Sequence, residues 1–276
     1  MKDNDRFRSF IKKFIKTKSY IYSAGSKLLD LAYVTWREGI RTWYTLAHSQ
    51  RSTVPGNSLT KIDLKRLEHP FFLRPGTRDS YNLISNTIRE EYGKFKVPID
   101  PHWMIDAGAY TGDVTAYFLS RYPNMRVVAL EPNKANFDVA KKNLFPYGSR
   151  CYLLDKALWG SDIRLQLKDA LEMSSVEQPS DAASDYYVEG VSVASIMKEY
   201  QIPHIDILKM DIEGAESDVF SAPYEDWLVN TSLIIMELHG KEAQSVVQRA
   251  MARCEFEMVK YRSVVYCYSH TSLPVD

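Results

Sequence analysis

The chain lacks most of the features that mark a disulfide-bonded, zinc-bound or membrane-spanning protein. Its three cysteines are odd in number and lack metal-type spacing, which predicts a reduced, cytoplasmic protein. There is no apolar run of about eighteen residues, so a spanning helix is not predicted. Lysines interrupt the first hydrophobic positions, so a cleavable signal is not expected either. The 276 residues otherwise have the composition of an ordinary globular protein.

A net charge of one sign is also missing, but the charges are unevenly distributed. Residues 1–50 contain ten basic and four acidic side chains, so that segment carries +6 and the remainder carries −6. An acidic main body opposes the phosphate attraction used in nucleic-acid binding. We therefore expect a small-molecule or glycan partner and no nucleic acid.

The basic N-terminal segment has a helical apolar stripe. Its members recur at positions i, i+3, i+4, i+7 and i+8, and they are Phe7, Phe10, Ile11, Phe14 and Ile15. Such a helix can lie on an anionic membrane surface, at the inner face of the membrane for a cytoplasmic protein. The alternative, which we favour, is packing against the domain or against a second copy of the chain. Residues 1–68 are interpreted as a helical extension.

Residues 69–276 alternate between strand and helix patterns, which predicts an α/β domain. The predicted fold is a doubly wound, mostly parallel sheet that ends in an antiparallel hairpin. The predicted strands are 103–106, 126–131, 150–158, 205–211, 232–238, 255–260 and 264–268. Residues 169–190 are polar and show no convincing period, so they are interpreted as a long loop. Its tyrosines, Tyr186 and Tyr187, suit stacking on a sugar, although a plain surface loop is equally compatible.

A glycine turn follows the first predicted strand of this domain. Asp106 precedes Gly108, and Gly112 completes a G-x-x-x-G spacing rather than the G-x-G-x-x-G of dinucleotide sites. A carboxylate at Asp106 would attract the cationic amino group of a methionine moiety and repel a pyrophosphate. Glu131 ends the next strand, and its two oxygens suit paired ribose hydroxyls. The turn therefore favours S-adenosylmethionine as the cofactor.

Two further predicted strands end in ionisable side chains. Asp211 and Glu213 follow one strand, and Glu237 and His239 follow another. Because parallel strands end at the same sheet edge, these side chains should converge beside the cofactor. A histidine there can take a proton from a hydroxyl, so His239 is the predicted base and the acids would orient the hydroxyl. The same set could bind Mg²⁺ or Mn²⁺, an alternative that the sequence leaves open and does not favour.

Five segments share their order and spacing with a known family. They are Leu73–Asp79 with Glu91–Tyr92, Ile105–Gly112, Glu131–Asn133 with Asn136–Phe137, Leu208–Glu216, and Glu237–His239. On these segments, residues 69–268 resemble the FkbM-type methyltransferases of the S-adenosylmethionine-dependent, Rossmann-like superfamily. The resemblance implies methyl transfer to a hydroxyl, often on a sugar or a related natural product.

The resemblance also implies individual roles. Asp106, Gly108, Ala109 and Gly112 would line the methionine part of the cofactor, and Glu131 would hold the ribose with Asn136 nearby. Asp155, Lys156 and Ala157 would border the adenine. The matching segments further place Asp79 and Tyr110 in the cofactor site and Lys209 in the reaction centre. Ala194 and Ser195 depart from the usual family pattern, so the acceptor is left open.

Two other classes of function are compatible with the same residues. One is a catalytically silent, methyltransferase-like binding module that docks through its basic helix. The other, less favoured because of the position of Asp106, is a dinucleotide-dependent oxidoreductase.

Overall fold

The computed structural model describes residues 31–51, 58–95, 97–98, 100–168, 175–177 and 187–269. The chain divides into two compact units, Met1–His48 and Ser49–Asp276. The second unit includes residues 49–68, which belong to the predicted extension. Residues 31–38 are helical, and a further helix, α1, follows at Ile40–Arg51. Within the described ranges, no helix has the length and apolarity needed to cross a bilayer. The predicted helix at residues 7–15 lies outside them.

The remaining elements belong to the second unit. Its helices are α2 (Asp79–Asn82) with a π-helical segment (Leu83–Ile88), α3 (Asp113–Arg121), α4 (Lys134–Leu144) with a 3₁₀ segment (Phe145–Arg150), α5 (Val193–Glu199), α6 (Glu216–Ser221), α7 (Glu225–Leu228) and α8 (Gly240–Arg253). Its strands are β1 (Thr60–Ile62), β2 (Phe71–Leu73), β3 (Trp103–Ala107), β4 (Arg126–Leu130), β5 (Cys151–Leu154), β6 (Lys156–Leu158), β7 (Arg164–Lys168), β8 (Ser175–Glu177), β9 (Tyr187–Val191), β10 (Ile205–Met210), β11 (Thr231–Glu237), β12 (Phe256–Tyr261) and β13 (Val264–Ser269).

A seven-stranded sheet forms the centre of this unit, in the order β12-β13-β11-β10-β3-β4-β5. The five strands from β11 to β5 are parallel, and β13 and β12 form an antiparallel hairpin at the edge. Strands such as β3 and β4 are almost continuously apolar because helices cover both faces. The predicted doubly wound, Rossmann-like sheet with its C-terminal hairpin is confirmed.

The order of these strands creates a topological switch point. From β3 the chain proceeds outward through β4 and β5, and it later returns to build β10 and β11 on the other side of β3. In open α/β sheets, ligands bind outside the carboxyl ends of the strands at such a point. We therefore expect a binding site at the carboxyl ends of β3, β4, β10 and β11.

A second sheet corrects two predictions. The predicted strand at 150–158 breaks at the exposed Asp155, so that β5 joins the central sheet and β6 joins a four-stranded sheet, β6-β9-β7-β8. Residues 187–190 of the predicted loop belong to strand β9, and residues 175–177 form β8. Leu165 and Val188 are buried in the small core of this sheet. These short strands are stabilised by pairing with strands that are distant in the chain, so their own sequences show no alternating period that predicts them.

Candidate active site

A cavity of about 600 Å³ opens at the switch point. Of the residues that the sequence predicted for the site, the following line it: Gly108, Ala109, Tyr110, Glu131, Asn136, Lys156, Ala157, Lys209, Asp211, Glu213, Glu237 and His239. Four others, Asp79, Asp106, Gly112 and Asp155, are not part of the lining. The volume lies in the range of cofactor pockets.

The glycine turn is required by close backbone packing. Gly108 has a φ of +75°, and a Cβ built on it would lie 1.9 Å from the carbonyl oxygen of Asp211. Gly112 also has a positive φ, but a Cβ there would meet the side chain of Leu144. Gly108 thus allows the ends of β3 and β10 to approach each other, whereas Gly112 serves the packing of α3 on α4. Gly112 is not part of the cavity lining, and its predicted role in lining the cofactor stays a prediction.

Asp106 is predicted to line the methionine part of the cofactor, and this role stays a prediction, because its side chain pairs with Lys209 and is not part of the cavity lining. Its side chain is fully buried, its Oδ1 lies 3.1 Å from Nζ of Lys209, and Thr115 donates a 2.5 Å hydrogen bond to its Oδ2. Lys209 also donates to the carbonyl oxygens of Ala107 and Gly108, at 3.2 and 2.6 Å. The two charged groups therefore pair with each other inside the protein, and Lys209 also binds the backbone of the glycine turn.

The charge on Lys209 is stable. Burial alone disfavours the ammonium, but the carboxylates of Asp106 and Asp211 outweigh it and raise the pKa of Lys209 above its ordinary value. A lysine that stays protonated is a hydrogen-bond donor and not a proton acceptor. Lys209 thus holds the glycine turn through hydrogen bonds, and it also borders the cavity.

Glu131 occupies the end of β4 and is nearly enclosed. Its Oε2 accepts a 2.8 Å hydrogen bond from the backbone of Tyr110, and its Oε1 accepts one of 2.9 Å from the backbone of Asn133. Asn136 donates to the same Oε1 at 3.3 Å. Burial raises the pKa of Glu131 to about 7, because these donors only partly offset desolvation. The carboxylate is thus oriented by its neighbours while it faces the cavity.

Asp79 orients two of the residues that surround Glu131. Arg74 donates to both carboxylate oxygens of Asp79, at 3.0 and 2.9 Å, and the Tyr110 hydroxyl donates to one of them at 2.8 Å. The same guanidinium donates to Oδ1 of Asn136 at 2.9 Å. The buried carboxylate of Asp79 thus orders Tyr110 directly and Asn136 through Arg74, and its predicted contact with the cofactor stays a prediction.

The second half of the cavity contains the histidine that the sequence predicted as the base. His239 Nδ1 lies 2.9 Å from Oε1 of the fully buried Glu216, while Nε2 lies 3.6 Å from Glu213 and 3.8 Å from Asp211. The hydrogen bond to Glu216 raises the pKa of His239 to about 9, against desolvation. The ring is therefore mostly protonated at neutral pH, which opposes the role of base. That role stays a prediction.

Tyr92 is a site residue to which the sequence alone assigned no role, although Glu91–Tyr92 lies within a matching segment. Its buried hydroxyl lies 3.2 Å from Asp211 and 3.3 Å from Glu237. Burial, with the charge of Asp211, raises the pKa of Tyr92 well above its usual value, so the hydroxyl remains a donor. Ser263 donates to Glu237 at 3.0 Å. Both carboxylates are thus held at the cavity wall.

Other features of the lining also escaped prediction. Arg78, Arg89 and Arg262 add three cationic side chains to it. Tyr187, in contrast, lies on β9 outside this cavity, with the guanidinium of Arg164 over its ring at 4.2 Å. Tyr186 lies outside the described residues. The predicted sugar platform therefore receives no support from the lining.

The fold and the cavity together define a class of protein. A Rossmann-like sheet with a glycine turn after one strand and an acid after the next is typical of proteins that bind an adenosine-containing cofactor. The sequence profile of the methyltransferase FkbM domain matches residues 106–258, more than half of the chain. The chain belongs to this family, and the predicted resemblance is confirmed.

Some solved structures of methyltransferases are similar to parts of this chain at low identity. A methyltransferase FkbM from Methylobacillus flagellatus KT is 15% identical, with a TM-score of 0.46 over 68% of this chain and 53% of that one. The Pyrococcus abyssi tRNA (uracil-54, C5)-methyltransferase, in complex with S-adenosyl-L-homocysteine, is 10% identical, with a TM-score of 0.40 over 77% and 44%. This chain thus matches about half the length of the Methylobacillus protein. No curated protein matches. The family assignment rests on the domain profile.

Proposed function

We propose that this protein is an S-adenosylmethionine-dependent methyltransferase that methylates a hydroxyl oxygen of a sugar or related natural product. One observation carries the proposal: a single cavity joins the Glu131 end of β4 to a cluster of ionisable groups at the ends of β10 and β11. The first part suits the donor, and the second suits removal of a proton from an acceptor. Membership of the FkbM family supports both.

The donor half of the cavity fits an adenosine without phosphate groups. The Glu131 carboxylate is the proposed acceptor for the ribose hydroxyls, and Lys156 with Ala157 is proposed to border the adenine. A dinucleotide would also bring a pyrophosphate to the turn, where it requires donors. Here the carboxylates of Asp211 and Glu213 share the lining and would repel it. Arg78, Arg89 and Arg262 also line the cavity. Asp211, however, lies at the turn itself, where its backbone packs against Gly108, and this position favours S-adenosylmethionine over a nicotinamide cofactor.

The reaction requires few chemical steps from the protein. The acceptor oxygen attacks the methyl carbon, the carbon–sulfur bond breaks, and S-adenosylhomocysteine leaves with the bonding electron pair. Because the sulfonium is already activated, the protein aligns the reactants, excludes water and accepts the hydroxyl proton. The proton acceptors at this wall of the cavity include the carboxylates of Asp211, Glu213 and Glu237 and the neutral form of His239.

Calorimetry tests the donor. The purified full chain should bind S-adenosylmethionine and not NAD, and Glu131→Gln should weaken binding, whereas Glu257→Gln on an exposed part of β12 should not. Tighter binding of NAD would move the assignment to an oxidoreductase.

Product analysis tests the acceptor. The full chain is incubated with methyl-labelled S-adenosylmethionine and a panel of polyols and glycans, and products are sought by a mass increase of one CH₂. Nuclear magnetic resonance of the product then distinguishes oxygen, nitrogen and carbon methylation. Donor binding without turnover across the panel would favour the silent binding module.

The remaining partners are also proposals. The basic N-terminal segment is proposed to give self-association or peripheral contact with an anionic membrane, on the basis of its sequence pattern alone. Vesicle flotation with and without anionic lipid separates these two outcomes.

A further inference from the structure

Three side chains of different chemistry converge where β10 and β11 end. Asp211 directly follows β10, Glu237 ends β11, and His239 lies two residues beyond it. The register of the two parallel strands pairs Met210 with Met236, which brings these positions side by side. One ligand atom from each of the three lies within 4.8 Å of the others. We propose that Asp211, Glu237 and His239 bind a divalent cation of the Mg²⁺ or Mn²⁺ type.

The geometry of His239 favours an ion over a plain hydrogen-bonded cluster. Its Nδ1 contacts Glu216, which leaves Nε2 as the ring atom near the acids. Nε2 lies 3.8 Å from Asp211 and 3.6 Å from Glu213, beyond hydrogen-bonding distance. Ligands at about 2.1 Å from one ion, on adjacent octahedral positions, lie about 3 Å apart. A small movement of the side chains toward a shared ion would therefore let both Nε2 and a carboxylate oxygen bind it.

The side chains around the three proposed ligands already hold them in position. A histidine that binds a metal commonly donates its other ring N–H to a carboxylate, which fixes the tautomer, and Glu216 occupies that position with a fully buried side chain. The carboxylates are also held in place: Tyr92 contacts Asp211 and Glu237, and Ser263 donates to Glu237. These contacts orient the three proposed ligands from outside.

The negative charge of this cluster also favours a bound cation. Asp211, Glu213 and Glu237 bring three carboxylates to one wall of the cavity. Lys209, one of the cationic side chains of the lining, is committed to Asp106 at 3.1 Å. Two carboxylates and one imidazole form a mostly hard ligand set, which suits Mg²⁺ and Mn²⁺. The cavity leaves the other coordination positions open to water or to an acceptor.

The ion would have a definite use in the reaction. A divalent cation that binds the acceptor oxygen stabilises the developing alkoxide and eases loss of its proton. This use rests on the proposed methyl transfer, but the binding of the ion does not.

Binding of Mn²⁺ alone to the full-length protein tests the site. Electron paramagnetic resonance and calorimetry, without S-adenosylmethionine or acceptor, should show one Mn²⁺ per chain. Asp211→Asn and Glu237→Gln should each weaken binding by about tenfold or more, whereas Glu257→Gln should not. Circular dichroism confirms that each variant is folded. The absence of one-to-one binding, or its persistence in both variants, would overturn the proposal.

A spectroscopic signature identifies the histidine. Electron spin echo modulation of the bound Mn²⁺ should show coupling to an imidazole nitrogen, and His239→Gln should abolish it. Coupling that survives in His239→Gln would contradict the ligand assignment. Binding of S-adenosylmethionine in the presence of a chelator is measured separately. Mn²⁺ binding without donor binding would support the metal site and contradict the proposed function. Donor binding without Mn²⁺ binding would support the proposed function and contradict the metal site.

Discussion

The ammonium nitrogen of Lys209 lies 2.6 Å from the carbonyl oxygen of Gly108 and 3.1 Å from a carboxylate oxygen of Asp106. A single buried lysine thus connects the acid at the end of β3 to the glycine turn that follows it. Because neither charge is exposed, each depends on the other for compensation. This arrangement makes the glycine turn beside the cavity depend on a buried ion pair for its stability.

Replacement of Lys209 by methionine should therefore be strongly destabilising. It leaves the Asp106 carboxylate buried and unpaired, at a cost of about 3–5 kcal/mol in the free energy of unfolding. Urea unfolding measures the change, with exposed Lys241→Met as the control. The double variant Asp106→Leu/Lys209→Met should lose less than the sum of the single losses. Strictly additive losses would show that the two groups do not depend on each other.

Substitution of Gly108 by alanine should disrupt the turn. The new Cβ would collide with the backbone of Asp211, in addition to the cost of a positive φ. Gly148→Ala is the matched control, since Gly148 also has a positive φ but nothing lies within 4 Å of its Cβ position. Gly148→Ala should cost about 1–3 kcal/mol in unfolding free energy, and Gly108→Ala more, with loss of donor binding. Equal costs would mean that the predicted collision is relieved.

Donor binding should depend on pH through Glu131. Burial raises its pKa to about 7, and ribose hydroxyls donate to the ionised form, so binding favours loss of the proton. The affinity for S-adenosylmethionine should fall as the pH drops through about 7. In Glu131→Gln, the affinity should be lower, and this protein contribution to the pH dependence should vanish. Calorimetry over this pH range measures both, and an unchanged profile in the variant would assign the titration to another group.

His239→Ala should separate catalysis from donor binding. If His239 takes the proton or helps to position the acceptor, turnover should fall by about 10²–10⁴-fold with little change in the affinity for S-adenosylmethionine. His204→Gln serves as the control, because His204 contacts Ser232 and is not part of the cavity lining. An unchanged rate and an unchanged pH profile in His239→Ala would exclude His239 from the reaction.

The central sheet and half of the site could be predicted because their signals are local. Buried parallel strands appear as apolar runs, and a polar residue at the end of such a run lies at a known sheet edge. This reasoning identified Glu131, Asp211, Glu237 and His239, all of which line the cavity. The same logic identified the turn at Gly108.

The remainder depended on partners that are distant in the chain. The sequence by itself determined which residues reach the sheet edge, because strand periodicity and strand ends are properties of short segments. Only the tertiary structure decided that Asp106 pairs with Lys209 and that Tyr92 joins Asp211 to Glu237. Burial and charge pairing arise from contacts across about a hundred residues, and these determine whether an acid binds a cofactor or supports the residue that does.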